Sequence, residues 1–248
     1  MKLTHKTALI TGGAKRIGKA LALGLAAEGC HIVVHYGRSA DDAAQTVAEI
    51  KAMGVDAWAF PADLADEAAV ETIIPQTLEL AGQLDILLNN ASVFPSENFL
   101  STTSASWEHN MMVNLKAPFL LSQAFARQLP PGQPGKIINL LDSDTLRPKN
   151  HHFSYTISKV GLEGLTKATA HALAKHNIQV NGIALGAILA NADLADTNPA
   201  KFEQLAKRIP MQRTGDPQDI VQALLYLVQG ADYVTGEIIQ VNGGWHLV

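Results

Sequence analysis

Seven short apolar runs, separated by segments of helical period, constrain this 248-residue chain more than any other feature. The runs are TALIT (7–11), HIVVHY (31–36), AWAF (57–60), LDILLNN (84–90), KIINLL (136–141), IQVNGIAL (178–185) and EIIQVNG (237–243). Their apolarity is continuous rather than alternating, as in strands covered on both faces. Between them, KALALGLAAEG (19–29) and SADDAAQTVAEIKAMG (39–54) repeat apolar residues three and four apart and end in glycine, a helix stop. Repeated β-α alternation requires right-handed crossovers, so the expected fold is α/β: a doubly wound, mainly parallel seven-stranded sheet flanked by helices. No linker rich in Pro, Gly or Ser interrupts the alternation, and GQPG (132–135) reads as a helix-to-strand turn. Residues 1–248 therefore read as one domain. The least regular stretch, 186–215, follows a strand's carboxyl end, where open α/β sheets place ligands, and reads as a substrate lid.

With 47% hydrophobic and 17% charged residues the chain can bury a large core. A net charge of -4 gives no electrostatic case for nucleic acid or an anionic membrane. A lone cysteine, Cys30, cannot form an internal disulfide and reads as a small buried hydrophobe beside the second strand, in a reducing compartment. MKLTHKTALI lacks the pattern of a signal peptide, and no apolar run reaches the roughly 18 residues of a membrane span. A cytoplasmic protein is expected. No metal site is expected from the histidines.

Between the first run and the first helical segment stands TGGAKRIG (11–18). A strand, a glycine turn and a helix start aim backbone N–H groups and a positive helix end at a pyrophosphate. Gly12 and Gly18 permit close approach; strict G-x-G-x-x-G spacing is absent, and Arg16 occupies the middle position. Arg16 at a positive helix end is unfavourable unless an anion lies near. At the end of the second strand, His35-Tyr36-Gly37-Arg38-Ser39 offers no carboxylate for a ribose 2′-hydroxyl. Arg38 and Ser39 instead suit a 2′-phosphate, which favours NADP(H) over NAD. Ser39 also suits helix capping with Asp42 as its partner, and Asp63 suits either an adenine amine or the cap of a helix starting near Asp66.

Farther along lie Asp142-Ser143-Asp144 and Tyr155-Thr156-Ile157-Ser158-Lys159. On a helix Tyr155 and Lys159 share a face, and an ammonium near a phenol lowers the phenol's pKa towards working pH. By itself that spacing proves little. In order, however, the glycine turn, Asn89-Asn90-Ala91, Asn114 and Tyr155-x-x-x-Lys159 resemble the short-chain dehydrogenase/reductase family. The likeness covers essentially the whole chain, continuing at Asn181, Gly182, Gly186 and YVTGEIIQVNGG (233–244).

That resemblance implies a single Rossmann-type domain, a homotetramer and a nicotinamide cofactor. It implies Tyr155 as proton donor, Lys159 on the nicotinamide ribose, and Asn114 holding a water that links the lysine to solvent. The cofactor would lie along Gly12, Lys15, Arg16, Ile17 and Gly18, then His35, Tyr36, Arg38 and Ser39. Beyond these it would meet Asp63, Leu64, Asn90, Ala91, Ser92, Tyr155, Lys159 and Gly186.

Two departures are informative: Arg16 replaces a family glycine and Asp142 stands where the family has its catalytic serine. Together with His-Tyr-x-Arg-Ser they are similar to the pteridine reductase branch, in which Phe94 would stack a pterin. A pterin is flat, with amide-like and amidine-like edges. It calls for a stacking face in Phe94, a cation in Arg16, an acidic group in Asp142 beside Tyr155, and a contact from Ser92. The implied activity is NADPH-dependent reduction of a dihydropterin such as dihydromonapterin or dihydrobiopterin, with dihydrofolate as a weaker substrate.

Rival readings stand beside these. Ser143, one residue on, can serve as an ordinary catalytic serine in a carbonyl reductase such as a 3-oxoacyl-carrier-protein reductase. Asp142 also suits a turn cap, and Phe94 a core or lid aromatic. His151 and His152, ahead of the tyrosine helix, either reach the substrate's outer end or, as such pairs more often do, lie in solvated loop. A non-catalytic NADP(H) sensor is the distant alternative, against which Tyr155, Lys159 and Asn114 stand.

Overall fold

A computed structural model describes residues 1–148, 150–188 and 199–248, with the side chains of 199–202 outside that description. All seven expected strands form: β1 Thr7–Thr11, β2 His31–Tyr36, β3 Ala57–Pro61, β4 Ile86–Asn89, β5 Gly135–Asp142, β6 Ile178–Leu185 and β7 Ile238–Val241. They make one sheet in the order β3-β2-β1-β4-β5-β6-β7, and every pairing is parallel. The expected mainly parallel sheet is thus wholly parallel.

Continuous apolarity resolves into two cores by the strand's period of two. Ala8, Ile10, Ile32, Val34, Ile86 and Leu88 face one layer, with α1 (Arg16–Ala27) and α8 (Pro217–Leu225) packed over it. Leu9, Val33, Leu87 and Ile137 face the other, under α3 (Glu67–Ala81) and α5 (Ala117–Gln128). Each Val, Leu or Ile among them stabilises the fold by about 1.5–3 kcal/mol on burial, and both faces contribute. Cys30 lies in the first core, where burial pushes its thiol up to about 12, as expected of an inert hydrophobe.

The remaining helices are α2 (Ala40–Ala52), α4 (Ser104–Met111), α6 (Phe153–Leu173) and α7 (Pro199–Arg208). α4 runs into α5 through a π-helical segment, Met112–Lys116. The glycine stops act as read: Gly29 and Gly54 take positive φ just past α1 and α2. The expected lid, 186–215, is described only in part: Ile188 bridges Gly215 and α7 lies between, while 189–198 lie outside the described residues.

The reversal of strand order between β1 and β4 opens a crevice at the strands' carboxyl ends. There α1 approaches β1 so closely that a Cβ on Gly18 would lie 2.1 Å from the Gly12 carbonyl oxygen and 2.7 Å from Asn90 Nδ2. Gly18→Ala is therefore expected to destabilise the protein by about 3 kcal/mol, a fall in Tm of roughly 6–12 °C. A thermal melt of the variant checks it, and an unchanged Tm would contradict the packing.

Candidate active site

Thr11 closes the crevice floor. Its Oγ1 accepts the backbone N–H groups of Asn90 and Ala91, both at 3.0 Å, joining the ends of β1 and β4. In return Asn90 Nδ2 donates to the carbonyls of Thr11 (2.8 Å) and Gly12 (3.1 Å). Thr46 of α2 donates to the Ala14 carbonyl at 2.8 Å, fixing the turn from outside. At the start of α1, Lys15 supplies no side-chain cap and the first turn holds no acidic residue. Its leading N–H groups are set for an anion. Arg16 is exposed at φ +53, an uncommon left-handed position for a residue with a side chain. Ile17 is partly buried against the core.

His35, expected among cofactor contacts, is 2% exposed and lies beneath the turn. Gly12 N–H donates to its Nδ1 at 3.3 Å, and its Nε2 lies 3.0 Å from the Ala62 carbonyl. Those partners require a neutral ring with the proton on Nε2, and burial lowers its pKa to about 4. Tyr36 also packs partly into the core, and Leu64 is buried. Arg38 is exposed beyond β2. Ser39 occupies the N-cap position of α2, but its side chain caps nothing, so the Ser39–Asp42 box does not form; Asp42 lies instead 3.7 Å from Lys15 Nζ. Asp66 caps α3, whereas Asp63 accepts from Ala65 N–H in a local turn.

Tyr155, in the first turn of α6, donates its hydroxyl hydrogen to Asp142 Oδ2 at 2.6 Å. Asp142 closes β5, and its Oδ1 accepts from Asp144 N–H, so it caps a turn and holds Tyr155 at once. The turn cap does not keep Asp142 from meeting Tyr155. Ser143 does not replace it: the side chain is buried, and Oγ donates to the Leu185 carbonyl of β6 at 2.9 Å. Lys159 is 3% exposed, donates to the Leu140 carbonyl at 2.8 Å, and lies 5.8 Å from the Tyr155 ring centre. Burial lowers its pKa to about 8, with Asp142 opposing.

The expected lowering of the Tyr155 pKa is overturned. Burial, and then the charge of Asp142, push it well above the usual phenol value. Lys159 makes its close contact with a backbone carbonyl, whereas Asp142 meets the phenol directly. Tyr155 is therefore held as a neutral acid.

Asn114 is fully buried in the π-helical segment. Its Oδ1 accepts from Ser92 Oγ (3.1 Å) and Val93 N–H (3.0 Å), and its Nδ2 lies within reach of Val93 O, Asn110 Oδ1 and Ser158 Oγ. The side chain thus anchors the loop after β4, and its hydrogen bonds go to that loop and to α4 and α6 rather than to Lys159. Phe94, on that loop, is 57% exposed. Its ring stands edge-on to Tyr155 at 4.4 Å between centroids. Gly186 packs under the C-terminal segment, where a Cβ would meet Asn242 at 2.7 Å.

Sequence reasoning missed His152. It is not solvated loop: its ring stacks on Phe94 at 3.6 Å and 17°, Nδ1 lies 2.6 Å from the Pro95 carbonyl, and its φ is +58. The αL position before a helix gives no signal in one sequence. Glu97, also missed, ties the Phe94 loop to α4 and α6 through the Ser106 and Ser154 hydroxyls.

A wholly parallel sheet with a glycine turn at its switch point and a Tyr–Lys pair on the following helix defines a nucleotide-dependent oxidoreductase of the short-chain type. A family model described as enoyl-(acyl carrier protein) reductase matches residues 12–246, and the chain belongs to this short-chain dehydrogenase/reductase family. The 3-oxoacyl-[acyl-carrier-protein] reductase FabG of Staphylococcus aureus is 36% identical over 248 residues, the whole of both chains. FolM alternative dihydrofolate reductase 1 from Brucella suis, solved in complex with NADP, superposes with a TM-score of 0.92 at 32% identity, covering 99% of this chain and 97% of that one. A blue fluorescent protein from a metagenomic library, solved with NADPH, gives 0.90 at 31%, over 99% of each chain.

His35 makes the turn sensitive to acid. Unfolded, the ring takes a proton near 6.5; folded, only near 4. Between these values the unfolded chain holds the extra proton, so this stability is intact above 6.5 and is lost as pH falls through 4. The loss is about 3 kcal/mol at roughly 1.36 kcal/mol per pH unit. Urea midpoints at about pH 7 and about pH 4 should show that loss in the wild type, and His35→Asn should remove it from the difference.

Proposed function

We propose that this protein is an NADPH-dependent pteridine reductase that reduces a dihydropterin to its tetrahydro form. The observation that carries the reading is the 2.6 Å Tyr155–Asp142 hydrogen bond, with the neighbouring Ser143 turned away to Leu185. NADP(H) fits the residues present. Gly12 at φ +63 and Gly18 leave a cradle that a Cβ would fill, the α1 terminus is uncapped, and exposed Arg38 stands at the end of β2. When bound, the cofactor supplies hydride to a ring carbon of the pterin. The adjacent ring nitrogen then takes the hydroxyl proton of Tyr155, and Asp142 accepts ring or amino N–H groups and orients the phenol. Phe94 offers the stacking face beside Tyr155 and Arg16 a cation for the pterin oxygen. Residues 186–215 would form the lid. A homotetramer is part of the reading, supported by exposed Phe119, Ile157 and Val160 on α5 and α6.

The reductase similar to FabG remains the second reading, favoured by the 36% identity of that relative. NADPH oxidation measured with a dihydropterin and with an acetoacetyl thioester separates the two; turnover of the thioester alone overturns the pterin reading. Asp142→Ala should lower kcat on the dihydropterin about 10²–10³-fold. Ser143→Ala, which loses a neutral hydrogen bond away from the reacting atoms, should stay within about threefold. The opposite ranking supports the carbonyl reductase. In a further test, Arg38→Ala should raise the KM for NADPH at least about tenfold, from loss of a charge-assisted bond, and leave that for NADH nearly unchanged.

A further inference from the structure

The segment after β7 reaches Tyr155 through a continuous chain of hydrogen bonds. A tight turn follows the strand: Trp245 N–H donates to the Asn242 carbonyl at 3.1 Å, with Gly243 and Gly244 between them at positive φ. The Trp245 indole N–H donates to Asp144 Oδ1 at 2.9 Å. Asp144 N–H donates to Asp142 Oδ1 at 2.8 Å, and Asp142 Oδ2 accepts the Tyr155 hydroxyl at 2.6 Å. Three successive bonds of normal length thus run from Trp245 to the Tyr155 hydroxyl.

The middle bond decides how Asp142 is presented. An ionised carboxylate has two equivalent oxygens and no donor of its own, so what holds one oxygen determines where the other points. Asp144 N–H holds Oδ1, and that N–H is as fixed as the turn that carries it. The turn is short, a four-residue 3-10 helix over Ser143–Leu146, a geometry with little strength of its own. It is pinned to β6 by the Ser143 hydroxyl on the Leu185 carbonyl, and to the C-terminal segment by the Asp144 carboxylate on Trp245. Trp245 is itself braced from α7, whose last residue, Arg208, holds its guanidinium 5.2 Å over the indole ring.

We propose that Trp245 is a positioning residue for Asp142: by holding the Asp144 carboxylate it keeps Asp144 N–H on one Asp142 oxygen and leaves the other to Tyr155. The role of Asp142 beside the substrate rests on the pterin reading; the coupling from Trp245 to Asp142 rests on the three bonds alone. Loss of the indole N–H lets the turn loosen and the carboxylate swing, which slows turnover without touching the cofactor's binding residues.

The test has two arms. In the first, kcat on a dihydropterin and KM for NADPH are measured for Trp245→Phe, Asp144→Ala, their double variant and Asp144→Asn. Trp245→Phe keeps a ring beside Arg208 and removes the N–H donor, whereas Asp144→Asn removes a charge and keeps an oxygen to accept that donor. About a tenfold loss of kcat is expected in Trp245→Phe and in Asp144→Ala, with no further loss in the double variant. Asp144→Asn should stay within about threefold of wild type, and KM for NADPH within about twofold throughout. Losses that multiply in the double variant, an unchanged kcat in Trp245→Phe, or an Asp144→Asn as slow as Asp144→Ala overturns the proposal. Should Trp245→Phe prove too unstable to assay, the two Asp144 variants decide it. The second arm reads amide hydrogen exchange at Asp144, the bond to Asp142 itself. Exchange about tenfold faster in Trp245→Phe supports the coupling, and unchanged exchange overturns it. A wild type inactive on dihydropterins defeats the pterin reading instead, and the exchange arm still decides whether Trp245 positions Asp142.

Discussion

The Thr11 hydroxyl joins the two halves of the sheet at the point where strand order reverses. With β1 and β4 side by side, the helices that follow them leave on opposite faces, and a gap opens between their strand ends. Thr11 holds that gap to one width by accepting two N–H groups from the β4 side, and Asn90 returns two bonds to the β1 side. Every other part of the site hangs from this floor. The glycine turn sits directly on it, His35 supports the turn from below, and Asn114 fixes the loop that continues from Asn90 to Phe94. A buried polar cluster of this kind must be fully bonded to be tolerated, which makes it rigid as well as stable.

The Tyr155–Lys159 pair depends on a different constraint, the removal of water. Burial raises the Tyr155 pKa and lowers that of Lys159, so each group is held further towards its neutral form. Both shifts penalise the charged form. Burial and the Asp142 charge therefore disfavour a phenolate at Tyr155. Lys159 is placed by the Leu140 carbonyl at the end of β5, the strand that also ends in Asp142, so one strand sets the position of both partners of the α6 tyrosine.

The strands, their two-sided burial and the crevice were legible because apolar runs and glycine stops are local features. Gly12, Gly18 and the Tyr155–Lys159 spacing were legible for the same reason. What the sequence hid is what the side chains choose between. Ser39 sits at a cap position and caps nothing, while Asp66, three residues past Asp63, takes the capping role. His35 sits in the expected motif but faces inward, because a strand's alternation, and not the motif, decides its side. His152 was hidden most completely: its stack on Phe94 joins residues 58 apart through a left-handed backbone position that few residues with side chains adopt.

Under the proposed reading, an aspartate in contact with Tyr155 also bears on the choice of substrate. Reducing a carbonyl develops negative charge on oxygen, next to the Tyr155 hydroxyl. A carboxylate about 4 Å from that oxygen would oppose it by roughly 4 kcal/mol at an effective dielectric constant near 20, about a thousandfold in rate. A serine hydroxyl in the same place would stabilise the charge. Reduction of a ring C=N bond develops the same kind of charge on nitrogen, but the N–H groups of a pterin would give the carboxylate something to accept, which a simple ketone lacks. Ser143 is adjacent in the chain and could restore hydroxyl chemistry only by turning inward, but its bond to Leu185 holds the ends of β5 and β6 together. Freeing it would leave the Leu185 carbonyl without that donor, so the arrangement that places Asp142 on Tyr155 also holds the serine out of the site.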